Sequence, residues 1–144
     1  MNLTSPEFSN NGNLPKKFTI DGQGVNPELD IEGIPAGTQS LVLIMDDPDA
    51  PSGTFTHWVV YDIPVVSKIE ENSIPGTEGL NTLRKNKYVS PAPPSGTHRY
   101  IFRVYALDLK LNLPKNASRL TVEKMMTGHV LGKAELVSLY KRGR

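Results

Sequence analysis

Three apolar segments alternate with clusters of glycine and proline, and this alternation narrows the fold more than any other feature of the chain. Residues 40–46 (SLVLIMD) form a continuous apolar run, residues 56–63 (THWVVYDI) are β-branched and aromatic, and residues 99–107 (RYIFRVYAL) are aromatic-rich. Each has the length and composition of a buried strand. Turn signals surround them at Asp21-Gly22, from Gly33 to Pro35, from Pro48 to Gly53 and from Pro91 to Gly96. With 12 glycines and 12 prolines in 144 residues, chain reversals are frequent, and a mainly β fold is expected rather than a helix bundle. Weaker strands are expected at residues 3–5, 18–20 and 29–31. The stretch 64–97 is the longest without a clear core strand, and ordered loops of that kind commonly carry function.

The last quarter changes character. Between residues 121 and 142 the apolar side chains Val122, Met125, Met126, Val130, Leu136, Val137 and Tyr140 fall near helical spacing. Thr121 reads as an N-cap with Glu123 in the first turn, where the helix dipole favours an anion. Gly128 and Gly132 each weaken the pattern by about 1 kcal/mol. The expectation is a short helix, a break near Gly128, and a second helix ending at Lys141-Arg142. The whole chain, 1–144, reads as a single domain. With 38% apolar and 22% charged residues it can bury a core.

Charge and cysteine usage remove several function classes. Sixteen Lys and Arg against fifteen Asp and Glu leave a net charge of +1, which is not the footprint of a nucleic-acid binder. The cationic cluster visible in this reading, Lys141, Arg142 and Arg144, is too short for a polybasic membrane anchor. The absence of cysteine excludes disulfides, Cys-type zinc sites, iron–sulfur clusters and thiol catalysis, and fits a reducing compartment. No signal-peptide pattern and no long apolar run are recognisable. The expectation is a cytoplasmic protein with no integral membrane association and no cofactor.

Ionisable residues gather at strand ends. The chain has three histidines. His57 opens one strand segment, His98 adjoins another, and Asp46-Asp47-Pro48-Asp49-Ala50-Pro51 closes the third. By alternation along an ideal strand, His98 and Tyr100 share a face, His57 shares a face with Val59, and Trp58 takes the opposite one. A pocket lined by His57, His98 and Tyr100 with aspartates at its rim suits a small oxyanion. An aspartate accepting from one imidazole nitrogen would fix the tautomer and leave the other nitrogen free to donate, and loop amides near Pro94-Ser95-Gly96-Thr97 would add donors. The same residues permit a metal site or His–Asp general acid–base chemistry. No G-x-S-x-G elbow and no tight H-x-x-x-H pair support those alternatives. A histidine at a strand end is also a common structural group, and Asp-Pro-Asp-Ala-Pro can be a simple turn. His129, beside Gly128, reads as surface or interface.

The strings Asp47-Pro48-Asp49-Ala50-Pro51, His57-Trp58-Val59-Val60-Tyr61, Pro93-Pro94-Ser95-Gly96-Thr97-His98-Arg99-Tyr100 and Tyr105-Ala106-Leu107-Asp108, in this order, resemble the phosphatidylethanolamine-binding protein family, in particular its bacterial and archaeal Raf-kinase-inhibitor-like branch. The likeness covers nearly the whole chain, including Gly128-His129-Val130-Leu131. It implies two antiparallel sheets in a Greek-key-like sandwich, with a C-terminal helical segment near a ligand pocket. It implies a small anion or phosphorylated head group as ligand. Asp47, Asp49, His57, His98 and Tyr100 match the family's motif positions, and Ala92 and Pro93 lie where the family supplies pocket backbone. Two departures bear on specificity. Ser90 stands where relatives usually carry glycine, and Ile31 stands where they often carry a cavity tryptophan.

The combined expectation is a non-enzymatic binding protein in which Asp47 and Asp49 orient the histidines around a small anionic or phosphorylated ligand. A signalling interaction module, or a kinase or protease inhibitor, is the alternative. A metal-dependent or His/Asp hydrolase is the third reading. A homodimer and a kinase or protease partner are compatible with the chain.

Overall fold

In a computed structural model that describes residues 1–143, the elements follow in the order β1 (Asn2–Thr4), β2 (Gly12–Asn13), β3 (Leu29–Glu32), β4 (Ser40–Asp47), β5 (Phe55–Ile63), β6 (Lys68–Ile69), β7 (Thr77–Glu78), β8 (His98–Leu107), α1 (Arg119–Met126) and β9 (Val130–Tyr140). The strands form a small sheet ordered β1-β3-β6 and a larger one ordered β2-β9-β8-β4-β5-β7. All neighbours are antiparallel except β2 and β9, which run parallel.

The apolar run in β4 follows from its position. It lies between β5 and β8, and every one of its residues is buried because both faces of the larger sheet are covered. Leu41, Leu43 and Met45 face the small sheet and join Leu3, Leu29, Ile31 and Ile69 in the main core, with Trp58, Val60, Tyr100 and Phe102 from the neighbouring strands. Val42 and Ile44 face the other way, into a second core with Val59, Tyr61, Leu111, Val122 and Met126. The molecule is therefore layered as small sheet, larger sheet and helix.

Several sequence expectations are corrected. Residues 130–140 are not a second helix but the longest strand, β9, paired with β8 from Leu107↔Val130 to His98↔Tyr140. A side chain every second residue is buried from Ala134 to Tyr140, which is the strand period. Alternate residues along β8 carry unpaired backbone groups on that side unless a strand fills the position, and this outweighs the weak helical spacing of the segment. The first helix is real, but Ser118 caps it, accepting from the Thr121 amide at 3.1 Å, so it starts earlier than expected. Gly128, at φ +83°, turns the chain out of the helix towards β9. Residues 18–20 are not a strand; a single 3-10 turn over Lys16–Phe18 buries Phe18 instead.

The helix α1 packs on the face of the larger sheet that carries Val42, Ile44 and Val59. The candidate site lies on the other face.

Candidate functional site

One end of the larger sheet brings together the C-terminus of β4 and the N-termini of β5 and β8, because antiparallel pairing places Asp47 opposite Phe55 and Asp46 opposite Ile101. A cleft of about 280 Å³ opens there. Asp47, His57, His98 and Tyr100 form its polar floor. Ala50, Pro51, Phe55, Leu83, Val89, Ala92, Pro93 and Pro94 form apolar walls, with Ser90 beside them. Six of the seven residues expected at the site, Asp47, His57, Ala92, Pro93, His98 and Tyr100, line this cleft. The long segment 64–97 supplies one whole wall.

A β-bulge decides where His57 points. Met45 pairs with Trp58 but Asp46 pairs with Thr56, so His57 is an extra residue in β5. Ideal alternation would place His57 with Val59, on the helix side. The bulge instead places His57 and Trp58 on the same side. The His57 ring lies 5.3 Å from that of Tyr100, edge to face, while Thr56 turns to the opposite side and donates to Asp46 at 2.9 Å. The Val59 expectation is therefore overturned, and the bulge is what completes the pocket.

Hydrogen bonds set the tautomers. His57 Nδ1 lies 2.6 Å from the Val89 carbonyl oxygen. A carbonyl can only accept, so Nδ1 carries the proton. His98 Nδ1 lies 2.6 Å from Asp47 Oδ2, and Asp47 Oδ1 accepts from the Asp49 amide at 2.8 Å. Both rings thus spend Nδ1 on the protein, and neither Nε2 has a protein partner among the described residues. In a neutral ring that free nitrogen accepts rather than donates. The expectation of two donating nitrogens therefore holds only for protonated rings. Burial pushes His57 below the ordinary histidine value; the Val89 bond and the Asp47 charge oppose this, and the nearby His98 adds to it. Burial, with the Asp47 carboxylate beside it, pushes the Tyr100 phenol up, so its hydroxyl keeps its proton.

Asp49 does not orient a histidine. It holds Arg99 with two side-chain bonds of 3.0 and 2.8 Å and accepts from the Arg99 amide at 2.9 Å. These bonds hold the Asp49 carboxyl down at about 2. The role assigned to Asp49 belongs to the Val89 carbonyl, which a sequence cannot reveal because any residue supplies one. Ile31 is buried between the sheets, away from the cleft lining. Ser95 and Gly96 line an adjoining groove with Asp21 and Arg142 rather than the cleft itself. His129 pairs with Asp108 at 2.9 Å on the surface. Arg84, Lys85 and Lys87 form a second cationic group that the sequence reading passed over. Lys85 and Lys87 line a shallow groove that shares Leu83, Ser90 and Ala92 with the cleft. Among the described residues, no group of three or more histidine or acidic side chains is placed to share a metal ion.

The sequence pattern of the phosphatidylethanolamine-binding proteins matches residues 4–141. The chain belongs to that family. Among its relatives within the family are the UPF0098 proteins of Methanothermobacter thermautotrophicus, 44% identical over 99% of this chain and 100% of the relative, and of Aquifex aeolicus, 45% identical over 99% and 89%. A phosphatidylethanolamine-binding protein homologue from Chlamydia trachomatis superposes with a TM-score of 0.96 at 38% identity, covering 99% of this chain and 97% of the other. Escherichia coli YbcL, described as a member of the mammalian family, superposes at 0.89 with 26% identity, covering 99% and 98%. The mainly β, two-sheet architecture of this phosphatidylethanolamine-binding protein family member is thus shared along nearly its whole length. Among its described residues, no helix is long and apolar enough to cross a membrane.

Proposed function

We propose that the chain is a non-enzymatic binding protein that holds a small anionic or phosphorylated group, such as inorganic phosphate or a phosphoethanolamine-type head group, in the His57/His98/Tyr100 cleft. The observation that carries this reading is the pinning of both Nδ1 atoms, on Val89 and on Asp47, while both rings line the same apolar-walled cleft and neither Nε2 has a protein partner among the described residues. Asp47 does not repel such a ligand when His98 is protonated, because the pair is then neutral overall and directs an N–H outward. Each hydrogen bond to a charged ligand contributes about 1.5–3 kcal/mol. The apolar walls strengthen such bonds by displacing water. Set against the cost of immobilising a ligand, a few bonds of this kind give a specific site of modest affinity.

Titration calorimetry with inorganic phosphate and with phosphoethanolamine tests the reading. Saturable binding by the wild-type protein and its loss in His98→Ala is the expected result. Unchanged affinity in the variant, with the fold intact by circular dichroism, would move the site elsewhere.

A further inference from the structure

The inference rests on the binding reading above and narrows its ligand class. We propose that the cleft selects anions that bring their own proton, inorganic hydrogen phosphate or a singly protonated phosphomonoester, over anions that bring none, such as sulfate or a phosphodiester.

The two histidines differ in what they can offer. The Val89 carbonyl accepts from His57 Nδ1 at 2.6 Å, so a neutral His57 turns a bare Nε2 lone pair into the cleft. A second proton on this ring would be poorly balanced, since the atom on its far side is a neutral carbonyl oxygen. His98 faces a carboxylate at the same distance, so a second proton on its Nε2 is balanced by a negative charge already in place. The Asp49 amide holds the other oxygen of that carboxylate at 2.8 Å, which keeps it turned towards His98.

The surroundings of His57 reinforce the difference. Phe55 packs on the ring at 4.6 Å and Tyr100 at 5.3 Å. The titratable groups that face it are Asp47 on β4 and His98 and Tyr100 on β8, with Val89 on the loop side. The Asp49–Arg99 pair stands further out and is internally neutralised. Burial keeps the His57 ring below the ordinary histidine value, in its neutral form.

A fully deprotonated anion therefore sets an oxygen lone pair against the His57 lone pair. That contact turns favourable only if the ring draws a proton from solvent. Hydrogen phosphate needs no such step. Its P–O–H donates to His57 Nε2, the proton stays on the ligand oxygen, and the charged oxygens face His98 Nε2–H. The arrangement is a matched pair of one acceptor and one donor.

The test is calorimetry of the full chain with inorganic phosphate, sulfate and dimethyl phosphate at about pH 7.5 and about pH 5.5, either side of the ordinary histidine value. At the higher pH, phosphate is expected to bind about tenfold or more tightly than sulfate or dimethyl phosphate, the equivalent of one charged hydrogen bond. The gap should shrink at the lower pH, where drawing a proton from solvent onto His57 to meet a deprotonated anion costs less. His57→Gln, whose amide can donate, should shrink it at both. Independently of any variant, imidazole nitrogen chemical shifts should show His57 neutral and Nδ1-protonated in the phosphate complex at the higher pH. Equal affinity for phosphate and sulfate there, or a His57 imidazolium in the phosphate complex, overturns the selectivity and leaves anion binding standing. No saturable binding of any of the three probes overturns both.

Discussion

At the scale of single residues, the group on which the proposed ligand selectivity turns also makes the fold acid-sensitive. His57 is buried with its folded value held below that of the unfolded chain. Below about pH 6.5 the unfolded chain binds a proton that the folded chain rejects, so this contribution to stability is complete above that pH and is lost as pH falls towards the lowered folded value. Urea midpoints at about pH 7.5 and about pH 5.5 should fall further for the wild type than for His57→Gln. Equal losses would mean that His57 is not a neutral buried group. Asp49 acts in the same sense, but in a lower pH window. Its carboxyl is held down by Arg99, so its contribution survives until pH falls below the ordinary carboxylate range. As an exposed ion pair it is small.

Local geometry at the scale of elements decides which chemistry each strand end presents. At the ends of β4 and β5, neighbouring residues serve opposite faces. Asp47 and His57 serve the cleft, while Asp46 and Thr56 bind Arg119 at the start of α1, at 2.8 and 3.1 Å. Burial pushes the Asp46 carboxyl up, against the opposing pull of Arg119, Thr56 and Arg103. The helix thus braces the back of the strand ends whose fronts carry the site. Ser118 holds the first turn of this eight-residue helix, and a helix so short depends on its cap and its packing. Ser118→Ala should cost about 1 kcal/mol, read as a lower urea midpoint with an unchanged m-value. No change would mean that Val122 and Met126 anchor the helix without help from its cap.

Across the whole molecule, rigidity and accessibility are divided between the sheet and the loop. The larger sheet has β4 and β8 at its centre with layers on both sides, whereas the cleft wall formed by Leu83, Val89, Ser90 and Ala92 comes from a segment with only two short strands in it. Amides of β4 and β8 should exchange only through global unfolding, and amides of residues 82–97 should exchange faster through local opening, as hydrogen-exchange mass spectrometry would show. Protection of that loop equal to that of β4 would make the cleft wall part of the cooperative core. The expected ordering leaves the cleft able to adjust around a ligand while its histidines stay fixed.

The sequence by itself determined the central strands and the chemistry at their ends. Residues 40–46, 56–63 and 99–107 are apolar or β-branched enough that no other burial satisfies them, and the Asp-Pro-Asp-Ala-Pro and His-Arg-Tyr strings mark where those strands meet the loops. Local composition carries that information because it concerns residues close together in the chain. Everything that depended on distant partners was decided by the tertiary structure. Residues 130–140 became a strand because β8 needed a partner along its length. His57 turned to the cleft because pairing with β4 accommodated one extra residue in β5. Asp49 went to Arg99, and a backbone carbonyl at Val89, thirty-two residues from His57, took the place expected of a carboxylate. The period of a segment does not encode its pairing register or the backbone atoms that cross it, and at this site those are the features that set which imidazole nitrogen is left without a protein partner.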